Sequence, residues 1–242
     1  MYQKQKHCDA LAPADDRRGD CWDHVALDPE HRLVVSVVVG KRTAEKTQEV
    51  VEQFHRRTGG RPMDLITTDE YEAYEGAILR TYGQTVTPPR TGRPGRPRKS
   101  YRVPPGNLTY AVVQKRRERG RVVAILCRVI FGTMAAVLAA LGYSRVSRVI
   151  NTAFVERQNA TDRHRNARKG RRTYCFSKDW DVHEAMTYFT MYSYNYCWPV
   201  RTLRRRDERS PWQKRTPAMA AGLADHVWTM SEWLALPAVQ RC

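Results

Sequence analysis

The sequence predicts an α/β fold in which a mixed β-sheet is flanked by helices. Short runs rich in β-branched residues alternate with segments of helical period over the first 82 residues. The order of these elements is strand, strand, helix, strand, helix, and a helix between two strands indicates a parallel crossover. The chain has 242 residues, of which 41% are hydrophobic, so it is long enough to bury a core.

The first three elements follow from runs of apolar residues and from the turn formers between them. Residues 21–27 and 33–39 are apolar strands that a tight turn joins. Residues 43–57 have apolar positions on one helical face, and Gly59 and Gly60 end that segment. We therefore expect a β-hairpin followed by a helix.

The next elements place a carboxylate at the end of a strand. Residues 62–68 form a short apolar strand that stops at Asp69, and residues 70–82 have a helical pattern. Residues 87–105 are basic, rich in proline and without a regular period, so we expect an arm. Two further strands with a basic turn predict a β-hairpin, and the arm and hairpin together are expected to form an insertion at about 84–131.

The C-terminal half is predicted to be mainly helical. Helices are expected at residues 132–141, 152–169, 180–196 and 231–236. We expect residues 1–200 to form one domain, and residues 201–242 to form a basic tail with a short helix.

Basic residues are concentrated in four segments. The chain has a formal net charge of +17 and an isoelectric point of about 10.0. Residues 90–102, 114–121, 161–172 and 201–215 together carry +20, so the rest of the chain carries −3. A slightly acidic body with basic segments indicates a polyanionic partner, most often nucleic acid, rather than ordinary solvated surface.

Membrane, secreted and zinc-binding proteins fit the sequence less well. No apolar run reaches the roughly 18 residues of a membrane helix, and the N-terminus lacks the apolar core of a secretory signal. We therefore expect a cytoplasmic, nucleoid-associated protein without a membrane partner. The six cysteines include no Cys-x-x-Cys pair, and Cys8, Cys21 and His24 lack a fourth ligand at a usual spacing. Reduced, structural thiols are the preferred interpretation.

Two carboxylates are candidate ligands of a divalent cation. Asp69 follows a strand at its carboxyl end, where parallel sheets place ligand-binding residues. On the predicted helix 152–169, Glu156, Asn159 and Arg163 lie at i, i+3 and i+7 and share one face. Hard oxygen ligands bind Mg²⁺, and neighbouring arginines bind phosphate. The alternative is that Asp69 caps the next helix and Glu156 pairs with an arginine.

Several blocks of the sequence resemble the DDE transposases of the insertion-sequence-one family. The blocks are GDCWDHVALDPEHRLVVSVVVG with the following KRTAEKT, LITTDEYEAYE, NTAFVERQNATDRHRNARK and TYCFSKDWDVHEA. The resemblance covers most of residues 19–200. It implies an RNase H-like fold, a mixed sheet with flanking helices, in which three carboxylates hold two Mg²⁺ (or Mn²⁺) ions. It also implies double-stranded DNA as the partner, and we expect a homodimer on that DNA.

The resemblance assigns roles to individual residues. Asp69 resembles the second catalytic and metal-binding acid of the family, and Glu156 resembles the third. Asn159 and Arg163 resemble polar partners on the same helix as Glu156. His183 is expected to be structural.

The resemblance also implies a missing part. The first acid of the family stands in an Asp-Glu-x-Trp-like motif just before the segment that here reads YQKQKH. We therefore expect the first catalytic Asp and the family's N-terminal DNA-binding region to be absent, and this chain alone neither to nick nor to join DNA. Asp20 and Asp23 are nearby but less favoured as replacements.

The proline-rich arm resembles an AT-hook. Residues 92–99, GRPGRPRK, contain two overlapping Gly-Arg-Pro units. An AT-hook lays arginines in the narrow minor groove of A·T-rich DNA, where negative potential is concentrated. A solvated linker is the alternative. The expected DNA-binding residues lie in the arm and on the late helix: Arg93, Arg96, Arg98, Lys99, Asn159, Arg163, Arg168 and Lys169.

The sequence therefore predicts DNA transposition. In the complete family site, a two-metal reaction cleaves the phosphodiester with water as nucleophile, and a DNA 3′-hydroxyl as nucleophile gives strand transfer. A DNA-binding protein with the same fold but without catalysis is the first alternative. An RNase H-like nuclease acting on RNA–DNA hybrids is the second.

Overall fold

The computed structural model describes residues 5–9, 11–89, 98–170, 173–207 and 210–236, and this part of the chain has a mixed α/β architecture with several small sheets. The strands are β1 (Trp22–Asp28), β2 (Leu33–Gly40), β3 (Ile66–Asp69), β4 (Gln84–Val86), β5 (Tyr101–Val103), β6 (Tyr110–Glu118), β7 (Arg121–Phe131), β8 (Arg205–Asp207) and β9 (Ser210–Gln213). The helices are α1 (Ala44–Arg57), α2 (Ala73–Tyr82), α3 (Met134–Tyr143), α4 (Ala153–Arg165), α5 (Trp180–Cys197), α6 (Pro217–Ala220) and α7 (Met230–Ala235).

The chain divides into two compact units. Residues 42–153 form one, which we name the middle unit, and residues 1–41 with 154–242 form the other, the terminal unit. The division differs from the sequence-based one, which places residues 1–200 in a single domain.

The terminal unit contains the predicted N-terminal hairpin and the predicted aromatic helix. β1 pairs antiparallel with β2, and β2 packs against α5. The side-chain amide of Asn195 on α5 accepts from the Val34 amide at 3.0 Å and donates to the Val34 carbonyl at 2.9 Å. These two bonds satisfy the N–H and C=O groups of Val34, which lies in a buried strand. The core between the two elements is formed by Val34, Val37, Val39, Met191 and Tyr194.

The middle unit begins with a helix whose two ends follow from the sequence. The Thr43 side chain accepts a hydrogen bond from the first turn of α1, as an N-cap does. Gly59 and Gly60, with φ of 65° and 73°, end the helix in the left-handed region that glycine adopts without strain. α1 packs against α2, where the rings of His55 and Tyr82 meet edge to face at 4.8 Å.

The sheet of the middle unit has the order β3–β6–β7. β3 is parallel to β6, with Asp69 opposite Val113, and β6 is antiparallel to β7. α2 lies in the connection from β3 to β6, so the parallel crossover joins these two strands. Among the described strands, β2 and β3 belong to different sheets, so the crossover through α1 does not join them as parallel neighbours.

The predicted hairpin of the insertion therefore belongs to this sheet through the start of β6 and the end of β7. The first four residues of β6, Tyr110 to Val113, are buried and carry the pairing with β3. The reason is their aromatic or apolar character, with the β-branched Val112 and Val113 among them, which suits a central strand. The far ends of both strands are exposed.

A short strand pair precedes and follows the proline-rich arm in the middle unit. β4 pairs antiparallel with β5, and the hydroxyls of Thr87 and Ser100 lie 2.8 Å apart just beyond that pairing. The stretch between them contains the AT-hook-like segment, and residues 90–97 of this stretch lie outside the described residues.

The late helices lie where they are predicted, and α4 is the one whose bounds are clearly shorter. α4 ends at Arg165 and a 3₁₀ turn covers Ala167–Lys169, whereas a single helix to residue 169 is expected from the sequence. The β8–β9 hairpin and α6 are not predicted. No helix in the described ranges is both long and apolar enough to cross a membrane.

Candidate functional site

Asp69 ends β3 at the carboxyl end of a parallel strand, where the sequence places it. Its side chain is 61% exposed, and Oδ2 lies 3.5 Å from a guanidinium nitrogen of Arg42. The Arg42 guanidinium lies over the Tyr71 ring, 4.4 Å from the centroid. Asp69 does not cap the next helix, because the N-cap position of α2 is Glu72, which makes no capping bond. Asp69 is thus an accessible carboxylate with one cation beside it.

Two phenols lie close to this strand end. The Tyr110 hydroxyl and Thr68 Oγ1 are 2.8 Å apart, and Thr68 Oγ1 donates to the Asp69 carbonyl at 2.8 Å. Burial raises the pKa of Tyr110, and burial together with the charge of Asp69 raises the pKa of Tyr74 to about 12. Both phenols therefore stay protonated at neutral pH. The Tyr110 phenol holds the strand end by hydrogen bonding, and neither phenol can act as a base.

Glu156 lies in the first turn of α4 and is exposed. A carboxylate is favourable there because the helix N-terminus carries partial positive charge. Arg163 is exposed as well, whereas Asn159 is half-buried and its Oδ1 has no hydrogen-bond partner in the described part of the chain. α4 buries Gln158 and Asp162 instead. The buried side of this helix is therefore polar, which apolar periodicity could not indicate.

The buried side of α4 contributes to an ion-pair cluster that the sequence analysis did not find. Lys169 Nζ lies 2.7 Å from Asp162 Oδ2 and 2.8 Å from Asp23 Oδ2. Thr190 on α5 donates to Asp162 Oδ1 at 2.6 Å. We refer to Asp23, Asp162, Lys169 and Thr190 as the buried ion cluster. Lys169 is among the predicted DNA contacts, but its ammonium is enclosed by two carboxylates and links β1 to α4.

A histidine borders the buried ion cluster. His183 Nε2 lies 3.7 Å from Asp23 Oδ1, an ion-pair distance that is too long for a hydrogen bond. Burial alone would raise the pKa of Asp23, but His183 and the Lys169 ammonium outweigh it and hold that pKa below its ordinary value. Asp23 is thus an ionised carboxylate already bound to a lysine. The sequence signal for Asp23 is that it is an acidic residue within a predicted strand.

The other predicted DNA-binding side chains are exposed where the structure describes them, apart from the half-buried Asn159. Arg93 and Arg96 lie outside the described residues. The Arg168 backbone donates to Asn166 Oδ1 at 3.0 Å, which fixes the turn after α4. The exposed predicted side chains are Arg98, Lys99, Arg163 and Arg168.

The described carboxylates have the donor type for a divalent cation but do not form a cluster. Asp69 and Glu156 offer accessible, hard oxygen atoms of the kind that Mg²⁺ takes. Within the described ranges, no three His, Cys, Asp or Glu side chains are grouped so that they could hold a metal ion. Asp69 belongs to the middle unit and Glu156 to the terminal unit, so their approach within about 10 Å around a shared metal pair stays a prediction.

Within the described residues, no cysteine belongs to a group of side chains that could hold a metal ion. Burial raises the pKa of the Cys21 thiol to about 12, which keeps it protonated at neutral pH. Five cysteines are free thiols, at positions Cys8, Cys21, Cys127, Cys175 and Cys197.

Comparison with known proteins gives no match: no protein-family model, no curated protein and no solved structure is similar to this chain. What the described residues define is a mixed α/β protein with an accessible carboxylate at a strand end and exposed arginines on both units. The assignment of function therefore rests on these residues and their chemistry.

Proposed function

We propose that this chain serves DNA transposition, in which phosphodiester bonds are cleaved at element ends and strands are transferred into target DNA, and that cleavage requires a third carboxylate beside Asp69 and Glu156. The position of Asp69 carries the proposal, because it is an accessible carboxylate at the carboxyl end of a parallel strand. It stands in the block TTDEYEAY, which resembles the second acidic block of DDE transposases. Glu156, exposed on α4 within FVERQN, supports the same role.

The charge of the chain supports DNA as the partner. The net charge is +17, and the side chains of Arg98 and Lys99 in the arm and of Arg163 near the end of α4 are exposed. Contacts from such side chains to phosphates release counterions and give affinity that does not depend on sequence. An RNA–DNA hybrid would meet the same charges, but the resemblance favours duplex DNA.

Each group of residues at the site has its own role in this reaction. A bound Mg²⁺ or Mn²⁺ would supply Lewis acidity, with Asp69 and Glu156 as its ligands. The Tyr110 and Thr68 hydroxyls hold the backbone that carries Asp69. Arg42, held over Tyr71, lies where it can bind a phosphate oxygen next to that carboxylate. Exposed arginines bind the DNA backbone and orient it.

The pairing of Arg42 with Asp69 favours a second candidate function. The Arg42 guanidinium lies 3.5 Å from the Asp69 carboxylate and is stacked on the Tyr71 ring, so it already neutralises the charge of that carboxylate. It competes with a divalent cation for the same oxygen atoms. In that case the chain binds DNA without cutting it.

A plasmid assay separates the two candidates. The chain is assayed alone and with the codons directly upstream of it read in frame, on supercoiled plasmid with Mn²⁺ or Mg²⁺, and with chelator as the blank. Transposase chemistry requires metal-dependent nicking that Asp69→Asn and Glu156→Gln reduce to the blank. Glu70→Gln, which removes the neighbouring exposed carboxylate, should leave it unchanged.

Each result of that assay points to one conclusion. Duplex binding without nicking in either form, also after Arg42→Ala, supports the non-catalytic DNA-binding protein. Nicking that survives Asp69→Asn contradicts the site. Failure to bind a duplex at low salt contradicts both candidates.

A further inference from the structure

The far half of the β6–β7 hairpin extends beyond the sheet. β3 pairs only with Tyr110 to Val113 of β6, and among the described strands β6 and β7 continue from there as a pair. A two-residue turn closes the pair, and its residues Arg119 and Gly120 have φ of 49° and 79°. Two positive φ angles are typical of a type I′ turn, which matches the twist of a two-stranded ribbon. We name residues 114–128 the ribbon.

The ribbon has a high density of unpaired positive charge. Over residues 114–121, Lys115 and four arginines face a single acid, Glu118. All four arginines form no ion pair with any carboxylate that the structure describes, and all four are exposed: Arg116, Arg117, Arg119 and Arg121. Unpaired guanidinium groups on a narrow projection create a positive potential that attracts a polyanion.

The exposed apolar side chains of the ribbon lie on β7, which also carries Arg121 and Arg128. The exposed apolar ones are Val122 at 46%, Val123 at 52%, Ile125 at 60% and Leu126 at 48%. Cross-strand register puts Lys115 opposite Ile125, Arg116 opposite Ala124 and Arg117 opposite Val122. Because opposite residues share a face, each face of the ribbon combines basic and apolar groups. A membrane surface would require an apolar face separate from the charged one, which this ribbon lacks.

We infer that the ribbon enters the major groove of duplex DNA. Paired strands lie about 4.8 Å apart, and a major groove about 12 Å wide admits such a pair, whereas a minor groove about 6 Å wide does not. Arginines of β6 can donate to guanine O6 and N7 or to phosphates, and apolar residues of β7 can contact thymine methyl groups. This inference rests on the proposed DNA binding and names the element and groove involved.

The test compares two double variants of equal charge change in the full chain. Arg116→Gln with Arg117→Gln removes two charges from the ribbon, and Arg56→Gln with Arg61→Gln removes two exposed charges elsewhere in the middle unit. Affinity is measured by fluorescence anisotropy on a labelled duplex, before and after methylation of guanine N7, which lies in the major groove. We expect the ribbon variant to bind about tenfold more weakly at 0.1 M salt and the control variant to bind nearly as the original chain does. Methylation should weaken binding of the original chain and have little further effect on the ribbon variant.

The outcomes separate this inference from the proposed function. If the original chain does not bind the duplex, the proposed function fails first. If it binds and the ribbon variant keeps its affinity and its sensitivity to methylation, only the ribbon inference is overturned. A ribbon variant that loses binding to anionic phospholipid vesicles, but not to DNA, overturns it in favour of a membrane surface. Equal thermal stability of the variants confirms that any loss is not one of folding.

Discussion

The ammonium nitrogen of Lys169 lies 2.7 Å from a carboxylate oxygen of Asp162, and the two side chains are only 7% and 2% exposed. A second carboxylate, that of Asp23, contacts the same ammonium at 2.8 Å. Buried charges persist only when they are paired and hydrogen-bonded. A lysine from a basic segment of the sequence thus stabilises the terminal unit by joining β1 to α4.

Replacement of this lysine should destabilise the fold. Lys169→Met leaves the buried carboxylate of Asp162 and the half-buried carboxylate of Asp23 without their lysine, so we expect the free energy of unfolding to fall by about 3–5 kcal/mol. Urea unfolding followed by circular dichroism measures the change. Arg168→Met is the matched control, because its side chain is exposed and should change stability by no more than about 0.5 kcal/mol. Equal effects of the two substitutions would contradict a structural role for Lys169.

The buried ion cluster should also make stability depend on pH. The pKa of Asp23 is held below its ordinary value in the folded chain, so its contribution to stability is complete well above about pH 4. That contribution is lost as the pH falls from about 4 through the lower folded pKa. The difference in Tm between the original chain and Asp23→Asn should therefore shrink between pH 5 and the acid limit of folding.

Thermal unfolding from pH 7 down to about pH 3 checks this dependence. Asp16→Asn, which removes an exposed carboxylate of the same unit, should follow the original chain at every pH. A difference for Asp23→Asn that stays constant over the whole range would show that its ionisation is not linked to folding.

Much of the fold could be predicted because local patterns and tertiary packing agree there. The run LVVSVVV became the buried strand β2, Thr43 and Gly59 mark the two ends of α1, and the β6–β7 hairpin has its basic turn in the expected place. The strand pairing was harder to predict. Whether β3 lies beside β2 or β6 depends on contacts that are distant in sequence and leave no local period.

The candidate site was predictable to a smaller extent, for a related reason. Asp69 was expected at a strand end because strand ends are visible in the sequence, and it lies there. Lys169 carries the same sequence signal as Arg168, a positive charge in a basic run, yet one is buried in an ion pair and the other is exposed. Charge alone does not distinguish a surface contact from an internal one, because the distinction depends on which carboxylates the fold brings near.

The proline-rich arm should contribute a separate part of DNA affinity. Arg93→Ala, Arg96→Ala and Arg98→Ala together should weaken binding more on A·T-rich than on G·C-rich duplexes, since a narrow minor groove concentrates negative potential. Competition with a small minor-groove ligand such as netropsin should reduce the affinity of the original chain and have little effect on the triple variant. Unchanged affinity for both duplexes would show that the arm does not contact DNA.

If duplex DNA is the partner of this basic chain, as we propose, its affinity for a duplex decreases steeply with salt concentration. The chain is titrated onto a labelled duplex at several salt concentrations between 50 and 200 mM. With about six or more phosphate contacts, we expect a linear decrease of log K with log salt, with a slope near −0.9 per contact, and a loss of about 10³-fold or more over this range. Absence of binding at 50 mM salt, or an affinity that does not change with salt, would contradict the proposal that duplex DNA is the partner.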